Sequence, residues 1–548
     1  MRNHGGTLAA NEITIHRGAD AILERVSLAV TPRSRIGIVG ANGRGKTTLL
    51  RALAGLEPLD GGSVSRNPPS LRVGYLPQER ELDPGETLLR YLARRTGVGE
   101  AEAELNRLES ALADDPSLTE AHAEALERFL VLGGADLTAR ARTVLAQVGL
   151  GLRVRLDRAV GELSGGEQGR AALASILLAR FDVYLLDEPT NDLDFAGLEL
   201  LERFVVDVEG SVVLVSHDRA FLDRTVDRIV ELESGTQRVH DYPGGWSEFE
   251  AARERARAEH ERAYAQWSEE RARFASLHHE RKEQARVGGK QANRRATHAL
   301  MSKTRAAARR VELLDRDRVE KPWQPWELRL DLAPSARSGD LVVALEGAVI
   351  ERGSFRLGAV DVHVRWGERL SIAGPNGSGK TTLLEALLGR LPLAAGTRRV
   401  GPSVVFGEIG QARALLNPLE LLAQSFRSAT GLPETEARTL LAKFDLYAQH
   451  LGRPARSLSP GERSRAELAV LAARGVGCLA LDEPTNHLDL PAVEELERAL
   501  AAFDGTLLLI SHDRRFLERV GVTRMLDLSA RVPARDRSRA PRRPPGRR

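Results

Sequence analysis

The chain has 548 residues, a formal net charge of only +3 and a single cysteine, Cys478. That length exceeds one hydrophobic core at roughly 150 residues per domain, and one cysteine excludes an internal disulfide framework, so Cys478 is expected to be a small buried hydrophobe. No window reaches the roughly 18 to 20 uninterrupted apolar residues of a membrane span, so transport would need a separate membrane subunit, and the polar start MRNHGGTLAANE predicts a reducing cytoplasm.

Reading from the N-terminus, the strand-like run RIGIVG leads into GANGRGKTT, Gly40 to Thr48, and then into the helix-like TTLL. In that context the pattern is a phosphate cradle: Gly40, Asn42, Gly43 and Gly45 let backbone N–H groups wrap an anion at a helix N-terminus. Lys46 reaches the terminal phosphates of ATP, Thr47 places its hydroxyl on Mg²⁺, and Thr48 completes the loop. YLPQ then ends at Gln78, a candidate sensor of metal and attacking water. In the acidic stretch from Glu100 to Leu132, Leu105, Leu108 and Leu112 share one helical face, and Ser117-x-x-Glu120 reads as a capping box opening a second helix. A helical hairpin is expected there, at about 95–133.

LSGGEQ follows at Leu163 to Gln168, then the apolar strand FDVYLLDE. Asp187 at its end is placed to hold Mg²⁺, and Glu188 to polarise the attacking water, because phosphoryl transfer needs orientation and charge stabilisation more than covalent help. LVSHD brings His217 toward the γ-phosphate.

The whole series then recurs. GPNGSGKTT spans Gly374 to Thr382 and supplies Gly374, Asn376, Gly377, Gly379, Lys380, Thr381 and Thr382; GEIGQ ends at Gln411; LSPGER contains Ser459, Gly461 and Glu462; ALDEPTNHLD carries Asp482 and Glu483; LISHD carries His512. Ser164 to His217 and Ser459 to His512 are both 53 residues apart, so the catalytic half is duplicated without net insertion. From glutamine to signature serine the copies differ, 86 residues against 48, which locates the 38 extra residues around the acidic hairpin. A lone histidine or glutamine of this kind is more often structural; the repeated order of the set reverses that.

Between the copies lies a linker, 247–322, whose residues 247–320 are dominated by Ala, Glu, Arg and Lys and broken by Gly288 and Gly289 near the middle, which predicts two helices of about 39 and 28 residues joined by a glycine turn. Tyr264, Trp267, Phe274 and Leu277 form an apolar stripe on the first helix, facing Ala292, Ala296, Leu300, Val311 and Leu314 on the second in an antiparallel hairpin. Residues 281–310 hold ten Lys or Arg against one acid. Arg281, Lys282, Arg286, Lys290, Arg294, Arg295, Lys303 and Arg305 therefore suit phosphate neutralisation on a polyanionic partner. The tail 531–548, with eight Arg and one Asp, reads as disordered.

The order of phosphate loop, glutamine, LSGGE-type signature, acidic strand and switch histidine resembles ATP-binding-cassette ATPases. Two such cassettes flanking a basic helical linker resemble the F subfamily of that family, over residues 7 to about 530. The resemblance implies an α/β fold with two P-loop NTPase ATP-binding-cassette domains, at 7–246 and 342–530, joined by a long antiparallel α-helical hairpin linker. It also implies a Mg²⁺-dependent ATPase in which the signature of one cassette caps the ATP of the other. Ser459, Gly461 and Glu462 would then complete the site of Lys46, and Ser164, Gly165, Gly166 and Gln168 that of Lys380, two intramolecular sites in a monomer. The expected partner is the ribosome, its rRNA and tRNA, with the outcome either regulation of translation or protection from antibiotics. A cassette subunit of a drug exporter and a DNA-repair ATPase remain the alternatives. Some positions depart from the family pattern: Pro460 and Arg463 stand where the first copy has Gly165 and Gln168, Asp192 where the second has His487, and Arg17 near the usual adenine-stacking aromatic. The first of these predicts unequal hydrolysis at the two sites.

Overall fold

Runs such as VYLLD and SVVLV, buried at every position, form strands Val183–Asp187 and Ser211–Val215 inside a sheet covered on both faces. The computed structural model describes residues 6–18, 20–77, 83–112, 114–151, 155–191, 193–232, 239–288, 294–319, 340–353, 355–409, 415–444, 446–485, 488 and 490–529. Gln78, Gln411, Asp192, His487, Lys290, Ala292 and the arginine-rich tail lie outside the described residues, as do the side chains of Arg281, Arg286, Arg294, Arg295, Ala296 and Leu300.

Among the described residues, the first cassette has a six-stranded sheet in the order Val73–Leu76, Val183–Asp187, Ser211–Val215, Arg35–Val39, Arg228–Leu232, Val239–Pro243, parallel except for the last strand. A three-stranded antiparallel sheet, Asp20–Val30, Thr7–Arg17 and Gly61–Asn67, shares one core with it through Leu8, Ile13, Ile36, Ile38 and helix Lys46–Ala54. The second cassette repeats this plan. Phe406–Ile409, Cys478–Asp482, Thr506–Ile510, Arg369–Ala373 and Arg524–Asp527 form a parallel sheet, and Phe355–Arg365, Leu341–Arg352 and Leu393–Val400 an antiparallel one. In both copies the strands preceding the phosphate loop, the Asp-Glu pair and the switch histidine end at one sheet edge, where α/β folds bind ligands. Cys478 is fully buried in the second core, which pushes its thiol up to about 12 and leaves it inert.

The acidic stretch of the first cassette folds as helices Val98–Leu112 and Thr119–Val131 packed on each other. The expected capping box is not made. Asp115 caps instead, accepting from Ser117 N at 3.0 Å and Ser117 Oγ at 2.7 Å, because a 3₁₀ turn, Pro116–Leu118, precedes the helix.

Residues 247–327 form a unit of their own, apart from the unit that holds both cassettes. Helix Trp246–Gly288 has 43 residues and Arg294–Arg316 has 23, against the 39 and 28 expected, since a last-turn glycine costs only about 1 kcal/mol and Gly288 stays helical. They run antiparallel. Trp267 Nε1 donates to Leu314 O at 2.8 Å, Arg271 meets Asp315 at 2.5 Å, Arg310 meets Glu270 at 2.7 Å, and Ala307 is buried between the helices.

Candidate functional site

The phosphate loops turn into their helices through Gly45 (φ 85°) and Gly379 (φ 95°), the left-handed region open to glycine. A Cβ at Gly45 would lie 2.9 Å from Ile22 and Leu23, and at Gly379 2.7 Å from Phe355, so both positions also require the missing side chain. Lys46 Nζ donates to Gly40 O at 2.7 Å and Ala41 O at 3.2 Å. Lys380 Nζ donates to Gly374 O at 2.9 Å, Pro375 O at 3.4 Å and Asn376 Oδ1 at 3.3 Å. Both ammonium groups are buried inside the loop that would hold phosphate, and burial lowers the pKa of Lys380. Thr48 and Thr382 face inward and are buried.

Thr381 Oγ1 donates to Asp482 Oδ2 at 2.8 Å, and in the first copy the hydroxyls of Thr47 and Tyr75 hydrogen-bond Asp187, Tyr75 at 3.2 Å. Burial raises the pKa of both aspartates against these donors. A carboxylate and a threonine hydroxyl joined at the mouth of a phosphate loop are hard oxygen donors suited to Mg²⁺, which takes few protein ligands alongside phosphate and water.

Glu188 (φ 48°) and Glu483 (φ 47°) both lie in the left-handed region, where a non-glycine residue is strained. The neighbouring strand holds them: Glu188 N donates to Val215 O at 2.9 Å and Glu483 N to Ile510 O at 2.8 Å. This turn points each carboxylate at the switch histidine. His217 Nε2 is 3.2 Å from Glu188 Oε1, and His512 Nε2 is 3.4 Å from Glu483 Oε1. Burial pushes Glu188 up to about 7, with Lys46 pulling the other way.

Residues of the two copies meet. Gly165 and Gly166 of the first line a cavity of about 370 Å³ with Asn376, Gly377, Glu483 and His512 of the second. A Cβ on Gly166 would stand 3.3 Å from that of Asn376, and Asp194 Oδ2 accepts from Asn376 N at 3.0 Å. Asp194 was not singled out from the sequence, although it closes the LLDEPTNDLD motif; its partner lies 182 residues away, and no local pattern announces it. The amide N–H groups of Asn376 and Gly197 outweigh its burial and hold its pKa low.

Ser164 caps helix Gly165–Leu178 and Ser459 caps Pro460–Ala473, each in a reciprocal box with Glu167 or Glu462. Pro460 sits at the first helical position, where its missing N–H is best tolerated. Gln168 Nε2 donates to Leu163 O at 3.1 Å, and Glu462 stands 3.5 Å from both His450 and Arg453, so these two side chains brace their own loops. Arg17 pairs with Glu57 at 3.5 Å, while in the second copy Arg352 pairs with Glu385 at 3.1 Å. On the hairpin, Lys282, Lys303 and Arg305 are exposed.

The family model described as ABC transporter matches residues 23–191 and 357–486. The chain is 37% identical to the tylosin resistance ATP-binding protein TlrC of Streptomyces fradiae, over 93% of this chain and 95% of that protein. It is 33% identical to the energy-dependent translational throttle protein EttA of Escherichia coli K12 (92% and 89% covered), and 30% identical to ABC transporter F family member 2 of Arabidopsis thaliana (92% and 74%). No helix among the described residues is long and apolar enough to cross a membrane.

Proposed function

Since the chain belongs to the F subfamily of ATP-binding-cassette proteins and is an ATP-hydrolysing enzyme, we propose that it acts on the ribosome, with ATP joining its two cassettes and the basic hairpin contacting rRNA and tRNA. The observation that carries the two-cassette part is the Asp194–Asn376 contact beside Gly166: the signature end of one copy lies against the phosphate loop of Lys380. The relatives' roles in tylosin resistance and translational throttling support the ribosomal part. The protein works as a cytoplasmic monomer with two intramolecular ATP sites.

In this reading the loop N–H groups with Lys46 or Lys380 bind the terminal phosphates. Asp187 with Thr47, and Asp482 with Thr381, would hold Mg²⁺, which would supply charge neutralisation on the phosphate oxygens. Glu188 and Glu483 orient the attacking water and take its proton, and His217 and His512 contact the γ-phosphate region beside them. Gln78 and Gln411 would sense the metal and the attacking water. Ser164, Gly165 and Gly166 close the site of Lys380, and Ser459 and Gly461 that of Lys46. ATP bound at both faces favours the joined state, and hydrolysis removes that preference.

The test is ribosome co-sedimentation with ATP. The Glu188→Gln, Glu483→Gln double variant is expected to stay bound, and a Lys46→Ala, Lys380→Ala variant to be released. Equal recovery of the two rejects the mechanism. Expression of the wild type in a sensitive host, scored for tolerance to macrolides, lincosamides and pleuromutilins, separates antibiotic protection from translational control.

A further inference from the structure

One cross-cassette contact breaks the symmetry of the two sites. Phe195, directly after Asp194 in the first cassette, meets the imidazole of His512 in the second edge to face, with ring centroids 5.0 Å apart and planes at 71°. The Arg514 guanidinium lies 5.4 Å from the centre of the Phe195 ring and 3.5 Å from Glu199 of the same helix, Phe195–Asp207. Adjacent residues of one turn thus reach both working parts of the opposite site: Asp194 holds the phosphate loop, and Phe195 packs on the switch histidine. The counterpart of Phe195 in the second copy is the buried aliphatic Leu490, which offers no ring to His217.

The imidazole of His512 needs such support. Neither of its ring nitrogens has a well-directed hydrogen bond among the described residues, Glu483 Oε1 standing at 3.4 Å. A histidine is normally fixed in orientation by the bond its second nitrogen makes, so here packing has to do it. Burial, reinforced by Lys380, pulls His512 down to about 4, so the ring is neutral and no ionic pull from Glu483 aligns it.

We propose that Phe195 is a positioning residue acting in trans: it holds His512 against Glu483 whenever the cassettes are joined, and it makes the Lys380 site differ kinetically from the Lys46 site. This rests on the reading of Lys380 and the first signature as one composite ATP site. An arene edge held in place by a guanidinium is a rigid support of a kind that an aliphatic side chain at this position does not supply, and misorientation of a catalytic group by about 1 Å lowers rates by up to about a hundredfold.

The experiment uses the full-length protein with ATP, reading steady-state turnover together with the histidine ¹³Cε1 NMR spectrum, in which His512 is assigned by His512→Gln. Read in a Glu188→Gln background, in which the Lys380 site supplies the turnover, Phe195→Leu is expected to lower kcat by about tenfold while KM stays within about twofold, since Phe195 touches the histidine and not the phosphate loop. It should also shift the His512 resonance and leave that of His217 in place. Phe195→Tyr, which keeps the ring, should restore both. An unchanged kcat, an unchanged His512 signal, a KM effect alone, or failure of tyrosine to rescue overturns the proposal. Lys380→Ala checks the underlying reading separately: full turnover in that variant defeats the composite site, whatever the Phe195 spectra show.

Discussion

Glu188 and Glu483, the glutamates proposed to orient water, both sit on strained backbone with positive φ. Each follows a strand that ends in a buried aspartate, and the left-handed turn is what brings its carboxylate to the switch histidine. Strain of this kind costs about 1 to 3 kcal/mol and is relieved by glycine. Glu188→Gly is therefore expected to raise the unfolding free energy by about 1 kcal/mol while removing turnover at the Lys46 site, a trade of activity for stability. Chemical denaturation checks it, and a lower midpoint at unchanged slope would contradict the strain. The identities of these glutamates were legible in LLDEPT and ALDEPT, as were the lysines and threonines of the loops, because nucleotide chemistry fixes short contiguous patterns. Their backbone was not: glutamate does not advertise a left-handed conformation, and what enforces it is the hydrogen bond from a strand 27 residues further on, Glu188 N to Val215 O.

Elements show the same division between local pattern and distant partner. Arg35 opens the strand before the first phosphate loop, and its guanidinium reaches carbonyls at and just beyond the C-terminus of helix Phe195–Asp207: Nε to Val205 O at 2.5 Å and Nη1 to Gly210 O at 2.7 Å, with Val208 O also bound. Arg369 does the same in the second copy, donating to Ala501 O at 3.1 Å and Phe503 O at 2.8 Å. Burial lowers the pKa of both without neutralising them. Removing a charged donor from orphan helix-end carbonyls costs about 2 to 3 kcal/mol, so Arg35→Ala should lower the first cassette's unfolding midpoint. A smaller loss than that of an exposed arginine such as Arg90 would sink the idea. In the hairpin, Trp267→Phe keeps the stripe but loses the N–H bond to Leu314 O, an expected loss of about 1 kcal/mol in hairpin stability, read by amide exchange. The stripe of Tyr264, Trp267 and Leu314 was visible as periodicity. The salt bridges Arg271–Asp315 and Arg310–Glu270 that fix the register join residues 44 and 40 positions apart, and sequence spacing carries no sign of them. The misread cap at Ser117 has a similar origin: the capping-box pattern is local, but the preceding Pro116 favours a 3₁₀ turn that Asp115 caps first.

For the whole molecule, the decisive groups are those that the two cassettes bury against each other. Arg219 of the first is 1% exposed and forms a two-pronged pair with Glu497 of the second, Nη1 to Oε2 at 3.1 Å. Removing one partner strands a buried charge at a cost of about 3 to 5 kcal/mol, whereas replacing both with apolar residues is close to neutral. Glu497→Leu should therefore weaken ATP-dependent joining far more than Arg219→Met with Glu497→Leu, as measured by small-angle scattering with ATP. Next to this pair lie the carboxyls of Asp218 and Asp513. Burial, and then the Asp513 charge, pushes Asp218 up to about 7, and burial raises Asp513 as well, against Arg219 and Arg515. The sign follows from linkage: a carboxyl whose pKa is raised in the joined state binds a proton there that it would not hold in water. Its contribution is complete below the ordinary carboxylate range near pH 4 and is lost as pH rises through about 7. Joining should weaken between about pH 4 and pH 7, and Asp218→Asn, which removes one of the two opposed carboxyls, should flatten that dependence. If the wild type and Asp218→Asn share one pH profile, the pair ionises independently of the interface.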